Sequence, residues 1–425
     1  MAPDPSPLSI PAFRYYITAR LASTIAQMSM VIVIGWQVYD IARETMDLKA
    51  AAFQLGIVGL VQFVPLFALT LVSGWAADRL DRRHIARASI ALEIFCAGML
   101  GWLAYTGATT LPALFAIAAL LGVARAFAGP ALGALAPNLV PRAILPKAIA
   151  LSSMSWQSGA IAGPAIGGYL YAWAPVMPYA VSVALFGIAL LCMFMIGPVA
   201  RSEIGGSRNP WRQMIEGLHY VRKNRLVLGA ISLDLFAVLL GGATAMLPVF
   251  ARDILDAGPT GLGHLRAAPA IGATLTALYF SFRPLKHNVG AKMLGAVGVF
   301  GAATIGFGLS RTMPLSLAFL TLLGAADMLS VFVRQSLIQI YTPDPMRGRV
   351  GAASTLFISA SNELGEAESG FLAALIGPVV AVVAGGVGAI AVTLLWLKWF
   401  PELRLARSFD PPEIEEEIIP GRPAP

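Results

Sequence analysis

The sequence predicts an all-α, polytopic membrane protein of twelve transmembrane helices, arranged as two pseudo-symmetric sets of six. Three observations carry that fold class. Apolar runs of about 20 residues, the length that crosses a bilayer, recur along nearly the whole chain. The composition is 57% hydrophobic and only 12% charged, with a mean hydropathy of +0.73, against about 25% charge in a soluble domain. The two halves also share a weak internal register.

The twelve spans run over about 13–40, 51–76, 84–106, 111–133, 147–172, 177–198, 225–251, 261–282, 290–309, 313–340, 349–376 and 379–400. Gly107, Pro112, Pro175, Pro178, Pro314 and Pro378 punctuate their ends. The longest connection, "ARSEIGGSRNPWRQMIEGLHYVRKN", is polar, basic and central. The expected organisation is an N-terminal bundle at 1–198, a linker at 199–224, a second bundle at 225–400 and a tail at 401–425. The tail's "DPPEIEEEIIPGRPAP" is acidic and proline-rich, a composition that stays disordered.

Lysine and arginine placement orients the spans. With a cytoplasmic N-terminus, the outer connections keep only Arg43, Lys49, Arg252 and Arg311, and most of the remaining basic residues fall on the inner side. Both termini are then cytoplasmic. The net charge of +7 is spread over these short connections, which points to topology rather than to nucleic acid. Cys96 and Cys192 lie in apolar spans and form no disulfide framework. The opening "MAPDPSPLSIPAF" lacks the basic and apolar regions of a cleaved signal. The tryptophans near span ends, Trp36, Trp102, Trp173, Trp396 and Trp399, read as interfacial anchors.

The repeat has an offset of 202 residues, which carries "LLG" at 120–122 onto 322–324, Pro141 onto Pro343, Ser152 onto Ser354, Gly163 onto Gly365 and Gly168 onto Gly370. One shared register for these matches indicates a parallel repeat of six spans.

Charges inside the spans are the candidate functional residues, because an ionisable group in hydrocarbon costs a few kcal/mol or more and persists only with a partner, water or a role. "SNELGEAESG" places Glu363, Glu366 and Glu368 in span eleven. Glu363 and Glu366 are three apart and share a helix face, whereas Glu368 points roughly 140° away from Glu363. Two carboxylates then line a central cavity, suited to taking and releasing protons or to binding substrate. The alternative is a static pair with Arg125, Arg334 or Arg266. Arg125 stands mid-span in "LLGVARAFAGP". Asp327 occupies its repeat position, which allows a charge pair between halves. Arg334 lies seven residues, about two turns, from Asp327 and is a second candidate partner. Asp234 in span seven faces either the cavity or a neighbouring helix. Glu93 in span three has no obvious partner. The four histidines are scattered, so no metal-ligand set and no intramembrane metalloprotease is indicated.

Two motifs extend the reading. "GWAADRLDRR" has Gly74, Asp78, Arg79, Arg82 and Arg83 between spans two and three. Read from the residues alone, it is a positive-inside loop with a capping aspartate. Its spacing resembles the signature loop of the major facilitator superfamily, which implies a cytoplasmic gate role for Asp78. Asp81 stands where that family usually has glycine. "GAIAGPAIGG" sets Gly159, Gly163, Gly167 and Gly168 on a small-residue face of span five with Pro164 among them, a packing motif. It resembles the antiporter signature of exporters in the same superfamily. The resemblance also implies a link between Arg125 and proton coupling.

Longer stretches, "SNELGEAESG", "LDLFAVLLGGATAMLPVFARDIL", "GLGHLRAAPAIGA", "GVARAFAGPALGALAPNLVP" and "DMLSVFVRQSLIQIYTPDPMRGRVGA", resemble the bacterial subfamily of transmembrane secretion effectors that includes the enterobactin exporter. That resemblance implies a cofactor-free, non-enzymatic, monomeric transporter of the inner membrane whose partners are a small amphipathic substrate, protons and the lipid bilayer. It implies export, with uptake, facilitated diffusion or a transport-inactive sensor as the alternatives.

Overall fold

A computed structural model gives an all-α architecture, with no strand among the described residues. It describes residues 6–198, 210–283, 285, 287–406 and 408–409. Side chains at 70–71, 74–75, 77–79, 134, 137, 142, 146, 210–214, 344–345, 347–348, 352, 355–356, 359–360 and 363 lie outside that description. So do the first part of the predicted linker, 199–209, and the acidic end of the tail, 410–425.

The first six spans are α1 Pro11–Thr45, α2 Leu48–Arg79, α3 Arg82–Thr106, α4 Leu111–Leu139, α5 Leu145–Trp173 and α6 Met177–Met195. Local chemistry sets their ends. Proline in the first turn opens α1, α4, α5 and α6, where its missing N–H costs no hydrogen bond. Asp47 caps α2 by accepting from Ala50 N at 2.7 Å. Gly107 closes α3 in the left-handed region, φ 68°.

The linker holds a helix, α7 Pro210–Lys223. It packs on the start of span eleven, where Glu216 pairs with Arg349 at 2.6 Å and the Tyr220 hydroxyl donates to Tyr341 O at 2.6 Å.

Span seven is not the continuous helix that its apolar run predicts. α8 Arg225–Leu240 ends at Gly241–Gly242. A 3-10 turn at Ala243–Met246, the short α9 Leu247–Val249 and a π turn at Phe250–Ile254 carry the chain on. Two adjacent glycines weaken the helix there, and they allow close packing. A Cβ at Gly242 would come 2.5 Å from Gly365 O on span eleven. The last five spans are α10 Gly258–Phe282, α11 Val289–Leu309, α12 Met313–Ile340, α13 Asp344–Ile376 and α14 Pro378–Trp399, followed by a short α15 Pro401–Leu405.

Among the described residues, nine of these segments are long and apolar enough to cross a membrane on length and composition alone. The three spans outside that group are α5, α10 and α13, which carry the prolines, glycines and charges. Packing explains them. α5 lies against α10 and α13 against α2, so these spans face protein across the junction of the two halves.

Glycine sets the closeness of that junction, and the 202-residue register shows in it. Gly163 meets α1, where a Cβ would lie 2.7 Å from Ile25 O; Gly365 meets α8, 2.9 Å from Val238 O. Gly168 meets α10, 2.5 Å from Pro259 O, while Gly370 backs onto Gly56 and Ala52 of α2. The first pair makes the same contact within its own half, and the second pair the same contact across to the other half. Gly159 and Gly167 complete the stripe on α1, at 2.7 Å from Thr24 Cβ and 2.6 Å from Ser29 Oγ. Pro164 sits inside an α5 that stays helical from Leu145 to Trp173.

Of the tryptophans expected as interfacial anchors, Trp102, Trp173 and Trp399 are exposed, whereas Trp36 and Trp396 are buried inside the protein and do not serve as anchors. Trp396 Nε1 donates to Gly229 O at 3.1 Å, which gives its polar atom a partner in the core.

Candidate functional site: a cleft between the two halves

A narrow cleft with a cavity volume of about 50 Å³ lies between the halves. Val31, Ile32 and Gly35 of α1 and Leu55, Val58 and Gln62 of α2 form one wall. Thr244, Ala245, Leu247 and Pro248 of the broken span, Leu262 and Arg266 of α10 and Glu366 of α13 contribute to the other. The walls are mostly apolar, with a few convergent polar groups, the usual make-up of a small-molecule site.

Those polar groups meet where span seven loses helical form. Arg266 pairs with Glu366 at 3.5 Å, both part-exposed to the cleft. Its Nη1 also donates to Thr244 O at 3.4 Å, in the 3-10 turn after the break. Irregular backbone at membrane depth is tolerated where it lines a cavity or is buried in protein. Across the cleft Gln62 accepts from Arg125 Nη1 at 3.0 Å through Oε1. Glu366 therefore lies on the cavity, as its spacing predicts. Glu368 does not line the cleft and is half-buried. The side chain of Glu363 lies outside the described residues.

The remaining sequence candidates do not converge on this cleft. Arg334 is buried on α12 and pairs with Asp234 of α8, not with Asp327 on its own helix. The reason is axial distance: a residue seven positions away shares the helix face but sits two turns along the axis, about 10 Å by rise, whereas Asp234 faces Arg334 directly from the neighbouring helix. Asp234 is accordingly a buried ion-pair partner rather than a cavity residue. Asp327 lines a narrow void with Asp234 and Ser330 inside the second half. Asp327 thus faces Asp234 and Ser330 in the second half, while Arg125 donates to Gln62 in the first, and no pair between Arg125 and Asp327 is seen among the described residues. Glu93, expected to lack a partner, accepts from Gln27 Nε2 of α1 at 2.5 Å.

At the loop after α2, the side chains of Gly74, Asp78 and Arg79 lie outside the described residues. Arg82 is part-buried and engaged. Arg83 has a defined structural task. Its guanidinium pairs with Asp81 at 2.5 Å and donates to Ile196 O, beyond the end of α6, at 3.1 Å. Asp81 Oδ1 also accepts from Arg83 N at 3.0 Å and so caps α3. The Arg83 hydrogen bonds hold the Asp81 carboxyl down at about 2. The departure from glycine at this position is thus a helix cap tied to a neighbouring span.

The end of the molecule opposite the chain's start, the distal end, is closed by cross-half polar contacts. Asp253 accepts from Arg43 at 3.0 Å and from the Tyr39 hydroxyl at 2.5 Å. Arg252 reaches back to Asp40, at 2.8 Å to its carboxylate and 2.8 Å to its carbonyl. Acid and base are exchanged between the two helices, so the contact is reciprocal. Lys49 Nζ adds a bond to Leu375 O at 3.0 Å, and the Tyr169 hydroxyl bonds His264 Nε2 at 2.6 Å. Sequence patterning placed Arg43 and Arg252 on one face but gave no sign of their partners.

Twelve helical spans in two related sets, with a polar cleft at their junction and paired glycine contacts beside it, define a secondary transporter of the major facilitator superfamily. Solved structures agree on the fold. The chain aligns with the nucleoside transporter NupG at a TM-score of 0.72, 12% identity, covering 92% of this chain and 100% of that one. A bacterial homologue of the lysosomal transporter Spinster in an inward-facing, unoccupied conformation gives 0.67, 16% identity and 93% and 97% coverage. Residues 3–419 match the family of transmembrane secretion effectors, and the chain belongs to that family. It is 27% identical over 414 residues to the enterobactin exporter of Escherichia coli O127:H6, covering 95% of each chain. The same identity and coverage hold for the enterobactin exporter of Shigella boydii serotype 18. The protein is a multi-pass membrane transporter and not an enzyme.

Proposed function

We propose that the protein is a proton-coupled exporter of a small amphipathic molecule of the siderophore or secondary-metabolite type. In this reading it sits in the bacterial inner membrane with both termini cytoplasmic, and the bundles 1–198 and 225–400, joined by 199–224, rock about the cleft as a monomer. The observation that carries the reading is the Arg266–Glu366 pair beside the break in span seven. The walls around it suit an apolar body, while Arg266 and Glu366 offer a donor and an acceptor side by side. A substrate hydroxyl donates more strongly to Glu366 as a carboxylate than as the neutral acid, whose carbonyl oxygen is the weaker acceptor. Substrate and proton then compete at Glu366, which is the condition for exchange. Glu363, one turn away on α13, is assigned to the same task. Asp78 with Arg79 and Arg82 is assigned to the cytoplasmic gate.

Export is supported by the relatives' named activity and by the glycine stripe of α5. The test is enterobactin accumulation in inverted membrane vesicles energised by an inside-acid pH gradient. Accumulation abolished by an uncoupler supports the reading. Enterobactin movement that is absent, or that ignores the gradient, contradicts it.

A further inference from the structure

We propose that a groove between α10, α11 and α12 binds one anionic phospholipid, with an acyl chain in the groove and the phosphate on Arg283 and Lys292. The groove has a cavity volume of about 650 Å³, and a site for one organic ligand takes about 300–1,000 Å³. Buried Gly272, Ala296 and Ala326 form its floor, and exposed Leu275, Tyr279, Val299 and Leu322 stand along its rim. Small residues below and large ones at the sides leave a channel on the lipid-facing side of the second half.

The depth of the groove matches one leaflet. Gly272 to Phe282, the end of α10, and Val289, the start of α11, to Val299 each cover about 15 Å by rise. That is half of the roughly 30 Å hydrocarbon core. The groove is also separate from the cleft, and among the described residues the two share no lining side chain. α10 and α12 meet backbone to backbone, since a Cβ at Gly272 would run into Thr321 O and one at Gly324 into Pro269 O. An occupant of the groove therefore comes from the bilayer.

Charge selects the headgroup. Arg283 N donates to Tyr279 O at 2.8 Å, so Arg283 stands one turn beyond the rim. Lys292 lies four residues before Ala296 and seven before Val299, on one helix face with both. The two cations are exposed at the same end of the spans. From residue 257 to residue 326 the chain carries no acidic residue, so neither α10, α11 nor their connection offers a counter-charge. A basic pocket between spans at a membrane surface is the kind of site that takes an anionic lipid headgroup, and the guanidinium suits a phosphate.

Native mass spectrometry of the full chain, released from micelles holding equal amounts of phosphatidylglycerol and phosphatidylcholine, tests this. The wild type is expected to retain one phosphatidylglycerol in several-fold preference to phosphatidylcholine. Arg283→Gln with Lys292→Gln should abolish the preference and leave one lipid of either kind bound. Ala318→Phe fills the groove from an exposed lining position; it should lower retention of both lipids, and it serves if the charge variant folds poorly. Equal retention of the two lipids by the wild type, or a preference that neither variant changes, overturns the proposal. A dimer that Ala318→Phe dissociates also overturns it, by making a second copy the occupant. One-for-one loss of phosphatidylglycerol on adding enterobactin overturns it by making the groove a substrate site. A preference that emerges only when residues 410–425 are removed overturns it by giving the cations to the acidic tail.

Discussion

Asp234 of α8 and Arg334 of α12 form an ion pair inside the second half, with both side chains almost wholly shielded from solvent. Such a pair stabilises little relative to apolar residues of the same volume, yet removing one partner strands a charge at a cost of about 3–5 kcal/mol. Asp234→Asn should therefore lower thermal stability in detergent sharply. The double variant Asp234→Leu, Arg334→Met should recover most of the loss. Equal destabilisation in single and double variants would mean that the pair is not the reason for the effect.

The Arg266–Glu366 contact behaves differently because it is longer and part-exposed. Exposed pairs contribute about 0–1 kcal/mol to stability. Glu366→Gln should melt close to the wild type while its proton-driven transport falls at least roughly tenfold, equivalent to about 1.4 kcal/mol. A large loss of stability with transport retained per folded molecule would assign the pair to structure instead.

The reciprocal distal contacts join α1 to the end of span seven. Each is modest alone, but Asp40, Arg43, Arg252 and Asp253 act on one closure. Neutralising both acids with Asp40→Asn and Asp253→Asn should shift the molecule toward opening at that end. An Ile32→Cys reporter on the cleft wall, in a background lacking Cys96 and Cys192, should then react several-fold faster with a membrane-impermeant thiol reagent applied from the distal side. An unchanged rate would show that the glycine contacts, not the charges, hold the end shut.

Glycine substitutions separate packing from composition. Gly370→Ala drives a methyl into the backbone of Gly56, whereas a Cβ at Gly129 meets nothing within 4 Å. Gly129→Ala should be neutral or slightly stabilising, by up to about 1 kcal/mol. Gly370→Ala should destabilise or hold the halves apart, read by melting and by the same thiol reporter. Similar behaviour of the two variants would count against the close approach of α2 and α13.

Acid should test the cap at the start of α3. Asp81 is held at about 2 by its hydrogen bonds from Arg83, below the ordinary value of about 3.9. A depressed carboxyl contributes stability that is fully present above the unfolded value and is lost as pH falls through the folded one. The extra stability should fade between about pH 4 and pH 2, and Asp81→Gly should flatten that portion of the pH–stability curve.

Hydropathy, glycine and charge placement made the fold legible, because each reflects a constraint that acts locally: span length, helix approach, orientation. Partner choice was less legible. Arg334 had Asp327 on its own helix and Asp234 on another; the two-turn spacing favours the first, while the axial distance it leaves and the packing of α8 on α12 select the second. Glu93 read as unpartnered because Gln27, a neutral residue of a different span, gives no charge pattern to find. Asp81 read as an added charge in a gate loop, when its backbone and side-chain bonds to Arg83 make it a cap. The break in span seven had a visible signal in Gly241–Gly242, but an apolar run on both sides hides a break from hydropathy. Glu366 was legible because its spacing set the helix face, while its partner Arg266 needed the packing of α10 beside α13.

The central claim is that Glu366 at the cleft exchanges a proton against substrate. It is tested most directly by proton release on addition of enterobactin to the purified protein in lightly buffered detergent. The wild type should release protons in proportion to enterobactin bound, and Glu366→Gln should bind weakly and release fewer. Undiminished proton release by Glu366→Gln, or binding by the wild type with no proton released, would contradict it.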